Sequence, residues 1–175
     1  MRKVEVLSYQ TEWKVRYQNE KKKIRNLLKN VPITTHHIGS TSVEGLAAKP
    51  IIDILVELPT LESLNPFIDE FVEEGYVFKG ENGIPKRRYF QFEKDGTRLV
   101  HLHMYQKGND EIHRHIAFRD YLREFPNEAK QYGEIKQQLA KQFPSDIAAY
   151  INGKHEFVKA MERKALEWYK KNEKG

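Results

Sequence analysis

The run His37-Ile38-Gly39-Ser40-Thr41-Ser42, followed by Lys49-Pro50-Ile51-Ile52-Asp53-Ile54-Leu55-Val56-Glu57, is the stretch of this chain on which the rest turns. Residues 33–38 read as a short strand that runs into a Gly-Ser corner. Residues 41–48 read as a compact turn or short helix, and Pro50 opens a strand over 51–57 that is apolar on both faces. Upstream, Trp13, Tyr17, Ile24, Leu27 and Leu28 recur at helical spacing behind a Thr11 cap, which predicts an amphipathic helix ending near Lys29, before Pro32. Downstream, a helix starting near Thr60 places Leu61, Leu64, Phe67, Ile68, Phe71 and Val72 on one face and stops at Gly75. A strand at 76–79, a Gly/Asn/Pro loop at 80–85 and a hairpin of strands 88–93 and 98–105 around Asp95-Gly96 come next. The remainder reads as helices at 110–123 and 126–142, then a helical region at 145–171 broken near Asn152-Gly153. A small mixed sheet with an inserted helix, followed by a helical C-terminal half, is an α+β layout. So small a sheet cannot cover both its faces alone, so helices are expected on one face, with a groove on the other.

The 175 residues fit one domain, with a hydrophobic fraction of 39% and an aromatic fraction of 11%. Cysteine is absent, which removes disulfides, thiol nucleophiles and zinc-thiolate sites. The start, Met1-Arg2-Lys3-Val4-Glu5-Val6, leads no long apolar run, and no 18-residue apolar segment occurs, so neither a leader nor a membrane span is expected and the cytoplasm is the expected location. Thirty basic residues interleaved with 25 acidic ones leave a net charge of +5. The runs Lys21-Lys22-Lys23 and Lys170-Lys171 fall on amphipathic helices and read as solvated faces. Nucleic acid is therefore not favoured as a partner. A local pocket for phosphate or another small anion is the better use of the charge.

A strand that ends in Gly-Ser and turns into a helix presents backbone N–H groups and a hydroxyl at one point, which suits phosphate. The same residues also make a plain turn capped by Ser or Thr. Asp53 sharpens the reading. A carboxylate inside an apolar strand is costly unless paired, hydrogen-bonded or bound to a cation. A structural ion pair to Lys49 or a hairpin arginine would satisfy it, and so would a functional role. His101 and His103 fall on one face of their strand while Val100, Leu102 and Met104 take the other. Two imidazoles at i and i+2 stand roughly 6–7 Å apart, within reach of one divalent cation. If the two strands are neighbours, Asp53, His101 and His103 converge as a two-His-one-carboxylate cluster.

The segment from His37 to Ile54 closely resembles the signature of the GrpB family. Later pieces agree: Gly80-x-Asn82-Gly83-Ile84-Pro85 with Arg87-Arg88, His101-Leu102-His103, Phe118-Arg119-Asp120-Tyr121-Leu122-Arg123, Tyr132 with Lys136, and Lys154 with Phe157-Val158. The resemblance implies a nucleotidyltransferase-like fold and a metal-dependent transfer of a nucleotidyl group to a small acceptor. In that superfamily a Gly-Ser pair grips the triphosphate, and a strand soon after offers acidic-x-acidic to two magnesium ions. Gly39 and Ser40 match the first element and Asp53 the first acid, with Thr41, Ser42 and Lys49 as further phosphate contacts. The second acid position is Leu55, and the further strand on which that superfamily offers a third carboxylate carries His101-Leu102-His103 here. Imidazoles suit zinc, manganese, iron or nickel better than magnesium, and the expected cofactor is a divalent metal: magnesium, manganese or zinc. Two further readings stay open: a module that binds a ligand or partner without turnover, and a metal-dependent phosphoester hydrolase. His37, Arg88, Tyr132, Lys136 and Lys154 are candidate pocket residues. Arg119, Asp120 and Arg123 read as a helix-stabilising ionic set, and His36, His113, His115 and His155 as solvent-side histidines.

Overall fold

The computed structural model describes residues 3–173; Met1 and Arg2, which open the amino-terminal run, lie outside the described residues. The chain forms two compact units. One comprises Glu12–Ile38 and Ile51–His113, and contains the sheet. The other comprises Gly39–Pro50 with the described residues of Met1–Thr11 and Arg114–Gly175.

In the sheet unit, α1 (Glu12–Leu27) is followed by β1 (Thr34–Ile38), β2 (Ile52–Leu58), a 3₁₀ segment (Leu61–Phe67), α2 (Ile68–Glu73), β3 (Tyr76–Phe78), β4 (Arg87–Lys94) and β5 (Thr97–Gln106). The five strands form one mixed sheet in the order β1-β2-β5-β4-β3. β2 and β5 are parallel, and the other pairs are antiparallel. The class is α+β, as expected. Register assigns the faces. Ile52, Ile54 and Val56 lie beside Val100, Leu102 and Met104, and these in turn beside Phe92, Phe90 and Arg88. All except Phe92 and Arg88 are buried. The helices cover this face. Tyr17 of α1 stacks on His37 with ring centroids 4.9 Å apart, and its hydroxyl meets Thr35 Oγ1 at 2.9 Å. Phe71 of α2 packs on Phe90 at 5.0 Å. Trp13, Ile24, Leu64 and Phe71 are wholly buried, each removing roughly 1.5–3 kcal/mol worth of apolar surface from water.

One local departure from the expected elements has a simple cause. The helix expected from Thr60 begins as a 3₁₀ segment because Pro66 lies inside it, lacking the N–H that an α-helix requires. The phase shifts there, so Leu64 and Phe71 are buried while Val72 is 49% exposed rather than on the inner face. The hairpin behaves as its sequence demands: Asp95 (φ 53°) and Gly96 (φ 77°) both take the left-handed conformation of a tight two-residue turn.

The second unit holds a 3₁₀ turn (Ser40–Ser42), α3 (Asp110–Glu124, from Arg114 onward), α4 (Pro126–Gln142) and α5 (Ile147–Glu173). Pro126 occupies the first turn of α4, where its missing N–H costs nothing. The core gathers Val43, Leu46, Tyr121, Leu122, Ala129, Tyr132, Met161 and Ala165, with Phe118, Phe157, Val158 and Trp168 packed against it. α5 is one unbroken helix through Asn152-Gly153, contrary to the expected break. A Cβ at Gly153 would stand 2.5 Å from Leu139 Cδ2, so the glycine admits the close approach of α4 and α5 and does not end the helix. Among the described residues no helix is long and apolar enough to cross a membrane.

Candidate functional site

On the sheet face opposite α1 and α2, the alternation of β2 and β5 presents the side chains that the apolar positions leave over. Asp53 stands in register between Ile38 of β1 and His101 of β5, with Gln91 of β4 beyond. The next row runs His36, Leu55, His103, Tyr89, and the one after it Thr34, Glu57, Tyr105, Arg87. β2 and β5 being neighbours, Asp53, His101 and His103 do converge. One carboxylate oxygen, Asp53 Oδ1, lies 3.0 Å from His103 Nε2 and 3.4 Å from His101 Nδ1. The two rings are 6.5 Å apart between centroids, and the Tyr89 ring flanks both at 5.6 and 5.3 Å.

Arg87 fixes the protons. Its Nη1 donates to His103 Nδ1 at 3.2 Å, and a guanidinium cannot accept, so Nδ1 must be the acceptor. His103 Nε2 then carries the hydrogen and donates it to Asp53. Burial lowers the His103 pKa, the Arg87 and His101 charges add to that, and Asp53 opposes them. Burial by itself would raise the Asp53 pKa, but hydrogen bonds and attraction from both imidazoles override it and hold the carboxylate far below its ordinary range. The centre at neutral pH is therefore an ionised carboxylate, 29% exposed, against a neutral His103. His101 Nε2 is buried without a hydrogen-bond partner. Among the described residues no group of three or more His, Asp or Glu side chains is already spaced to hold a metal ion. Both rings aim a nitrogen at Asp53 Oδ1 rather than at a common vacant point.

Several pocket assignments change. His37 belongs to the other face of the sheet, buried against Tyr17, because alternation along β1 sends His36 and not His37 to the Asp53 side. His36, expected toward solvent, instead holds Glu57 at 2.6 Å on that same face. Arg88 aligns with Met104 on the helix-covered face, and its Nη1 donates to the Arg87 carbonyl. Arg87 is the arginine of the site. It is 5% exposed, its Nε and Nη2 donate to the carbonyls of Glu81 and Asn82 at 3.1 and 2.9 Å, and its guanidinium lies 4.4 Å from the Tyr89 ring centroid. The alternation Arg87, Tyr89, Gln91 against Phe90, Phe92 carried that signal in the sequence.

In the other unit, Gly39 (φ 73°) and Ser40 are partly exposed at the start of the 3₁₀ turn. Thr41 and Ser42 are buried, and the Ser42 hydroxyl donates to the Gly39 carbonyl, so it serves the turn itself. Of the expected ionic set, Arg119 Nε donates to Asp120 Oδ1 at 2.8 Å, while Arg123 donates from Nε and Nη2 to the Ser42 carbonyl at 3.1 and 2.8 Å. Lys49, Tyr132, Lys136 and Lys154 gather with Tyr150. Lys136 Nζ lies 4.3 Å from the Tyr132 ring centroid, while Lys49 and Lys154 Nζ lie 5.3 and 5.1 Å from that of Tyr150. Burial, together with repulsion from Lys154 and Lys49, drives the Lys136 pKa well below that of an ordinary lysine.

Among known proteins, the chain is 47% identical over 170 residues to UPF0157 protein YqkA of Bacillus subtilis, covering 97% of this chain and 49% of that protein. The chain thus spans about half the length of that relative. Identity to UPF0157 protein PA4798 of Pseudomonas aeruginosa is 34% over 169 residues, covering 94% and 68%. The crystal structure of the conserved protein GrpB from Enterococcus faecalis superposes with a TM-score of 0.89 at 42% identity, covering 94% of this chain and 99% of that one. The family model described as GrpB protein matches residues 3–164, and the chain belongs to the GrpB family.

Proposed function

We propose that the protein binds a nucleotide or another phosphorylated ligand together with a divalent cation, and transfers a nucleotidyl group to a small acceptor. Asp53, His101 and His103 would hold the cation. The observation that carries this reading is the meeting of two ring nitrogens on one carboxylate oxygen at 3.0 and 3.4 Å. Ligand atoms bonded at about 2.1 Å to a shared cation are themselves separated by roughly 3.0–3.4 Å. A cation would therefore take the place of the two bridging protons with small ring movements. Two imidazoles and one carboxylate favour zinc or manganese over magnesium. Bound there, it would supply positive charge to phosphate oxygens. Arg87 and Tyr89 position His103, which keeps its Nε2 directed at Asp53. The role of Gly39 and Ser40 as phosphate contacts rests on the family motif.

Leu55 supports a second reading. It occupies the position where a second metal-binding acid would stand, and it is fully buried, so the face offers one carboxylate pair-partner fewer than a two-metal transferase uses. Metal-dependent phosphoester hydrolysis, or ligand binding without turnover, follows if one cation suffices. Elemental analysis of the purified protein and calorimetry of nucleotide binding with magnesium, manganese and zinc separate these outcomes. The transferase reading expects cation-dependent nucleotide affinity in the natural protein that Asp53→Asn and His101→Ala abolish. Transition-metal binding without nucleotide affinity selects the hydrolytic reading, and binding of neither metal nor nucleotide removes all three.

A further inference from the structure

The cluster around Lys136 lies in the unit that holds α4 and α5, and its composition is unusual for a protein interior. Lys136 sits on α4 at 2% exposure, and its Nζ is buried with no hydrogen-bond partner. An ammonium taken out of water without an acceptor is among the costliest groups a fold can hold. The Tyr132 ring face at 4.3 Å offsets only part of the lost hydration. The neighbours increase the cost, since Lys49 and Lys154 converge on the adjacent Tyr150 ring at 5.3 and 5.1 Å. Tyr150 is itself fully buried, and its hydroxyl also lacks a hydrogen-bond partner. Packing holds the arrangement in place. Gly133, one turn before Lys136, lets α4 lie against Leu46 and Ala47, where a Cβ would come within 3.4 Å of Leu46 Cδ1 and 3.5 Å of the Ala47 nitrogen. Lys49 follows two residues later.

Side chains that only stabilise a core are not arranged in this way: three lysines and a phenol, with two of the four polar groups buried and unsatisfied. All four are donors. We propose that Lys136 Nζ and Tyr150 Oη, with Lys49 and Lys154, form a binding site for a multiply charged phosphate oxyanion, either inorganic phosphate or pyrophosphate or the phosphate tail of an ester. Lys49 and Lys154, with Lys136 charged once an anion gives its proton an acceptor, match a dianion or a diphosphate far better than a carboxylate. Tetrahedral phosphate offers acceptors in several directions, as donors arriving from α4, α5 and the segment before β2 require. The proposal deepens the phosphorylated-ligand reading above and draws on neither a cation nor Asp53, His101 or His103.

The test is calorimetry on the full chain in EDTA, with inorganic phosphate, pyrophosphate and a nucleoside triphosphate as probes and chloride and acetate as controls. The expected result is submillimolar binding of pyrophosphate, weakened about tenfold or more by Lys136→Met and by Lys154→Gln, and severalfold by Tyr150→Phe. Tighter binding of the triphosphate than of pyrophosphate identifies an ester tail, and the reverse order identifies the free anion. Lys136→Met is expected to keep or raise the melting temperature, because it removes a buried unpaired charge while retaining the alkyl packing. If that variant does not fold, Lys154→Gln and Tyr150→Phe decide the question. No binding of any phosphate probe at 10 mM, or undiminished binding in folded Lys136→Met or Lys154→Gln, overturns the proposal. EDTA keeps this result separate from any failure of the cation centre.

Discussion

At the residue scale, position 53 shows how an apolar strand can hold a charge. Two imidazoles on the neighbouring strand supply the compensation that hydration would give, and Arg87 orients one of them from the far side. Asp53→Asn keeps the shape but removes the anion, so divalent-cation affinity measured by calorimetry should fall by about tenfold or more. His37→Ala provides the contrast. It should cost about 2–3 kcal/mol in urea unfolding, because it empties a ring stacked on Tyr17, yet leave cation affinity unchanged, because His37 faces the helices. The two arginines divide in the same way. Arg87→Ala should lose about 2–3 kcal/mol by abandoning the carbonyls of Glu81 and Asn82 and His103 Nδ1. Arg88→Ala should stay within about 1 kcal/mol. Equal losses at both positions would refute the face assignment. The carboxylate and the two histidines were legible in the sequence because alternation isolated them on one face. His36, Arg87 and Tyr89 were equally open to that logic. Arg88 and His37 fall on the opposite face once the alternation is carried across the register from β5 to β4 and from β2 to β1.

At the scale of elements, the helices and strands follow from periodicity, and the departures trace to single residues whose role depends on a partner. The Asp95-Gly96 hairpin was legible because its backbone demand is local. Pro66 was visible too, but whether it ends, kinks or tightens a helix depends on what buries Leu64 and Phe71. Gly153 looks like a breaker in one dimension and acts as a contact in three, since the space that a Cβ would fill belongs to Leu139 of another helix. This yields a coupled prediction. Gly153→Ala gains about 1 kcal/mol of helix propensity but must displace the Leu139 side chain, and overpacking of that kind costs about 1–3 kcal/mol. The single variant should therefore be neutral to destabilising. In a Leu139→Ala background the obstruction is gone, and the same change should stabilise. Additive effects in the four-member cycle of unfolding free energies would show that the glycine is not there for the contact.

For the molecule as a whole, a buried lysine makes stability depend on pH with a sign that can be worked out. The unfolded chain holds the Lys136 proton up to its ordinary pKa near 10.5, whereas in the folded unit burial and the Lys49 and Lys154 charges release it at a much lower pH. Between those two values the unfolded state binds one more proton, so unfolding free energy rises with pH, by up to about 1.36 kcal/mol per pH unit. Below the depressed pKa both states are charged, the slope disappears and the full cost of burial remains. Above 10.5 both are neutral and the cost is gone. The phenols around it act in the opposite direction. Burial raises the pKa of Tyr150, and burial with Glu128 pushes Tyr121 up to about 12, so above pH 10 these groups destabilise the fold as pH rises. The informative range is therefore pH 7 to 9.5, with Lys49, Lys154, Tyr132 and Tyr150 common to both proteins being compared. Urea unfolding of the natural protein should show stability climbing toward that of Lys136→Met across this range, and pyrophosphate, by giving the ammonium an acceptor, should flatten the climb. Parallel curves for the two proteins would mean that Lys136 keeps its proton in the fold and that the cost of its burial is met in some other way.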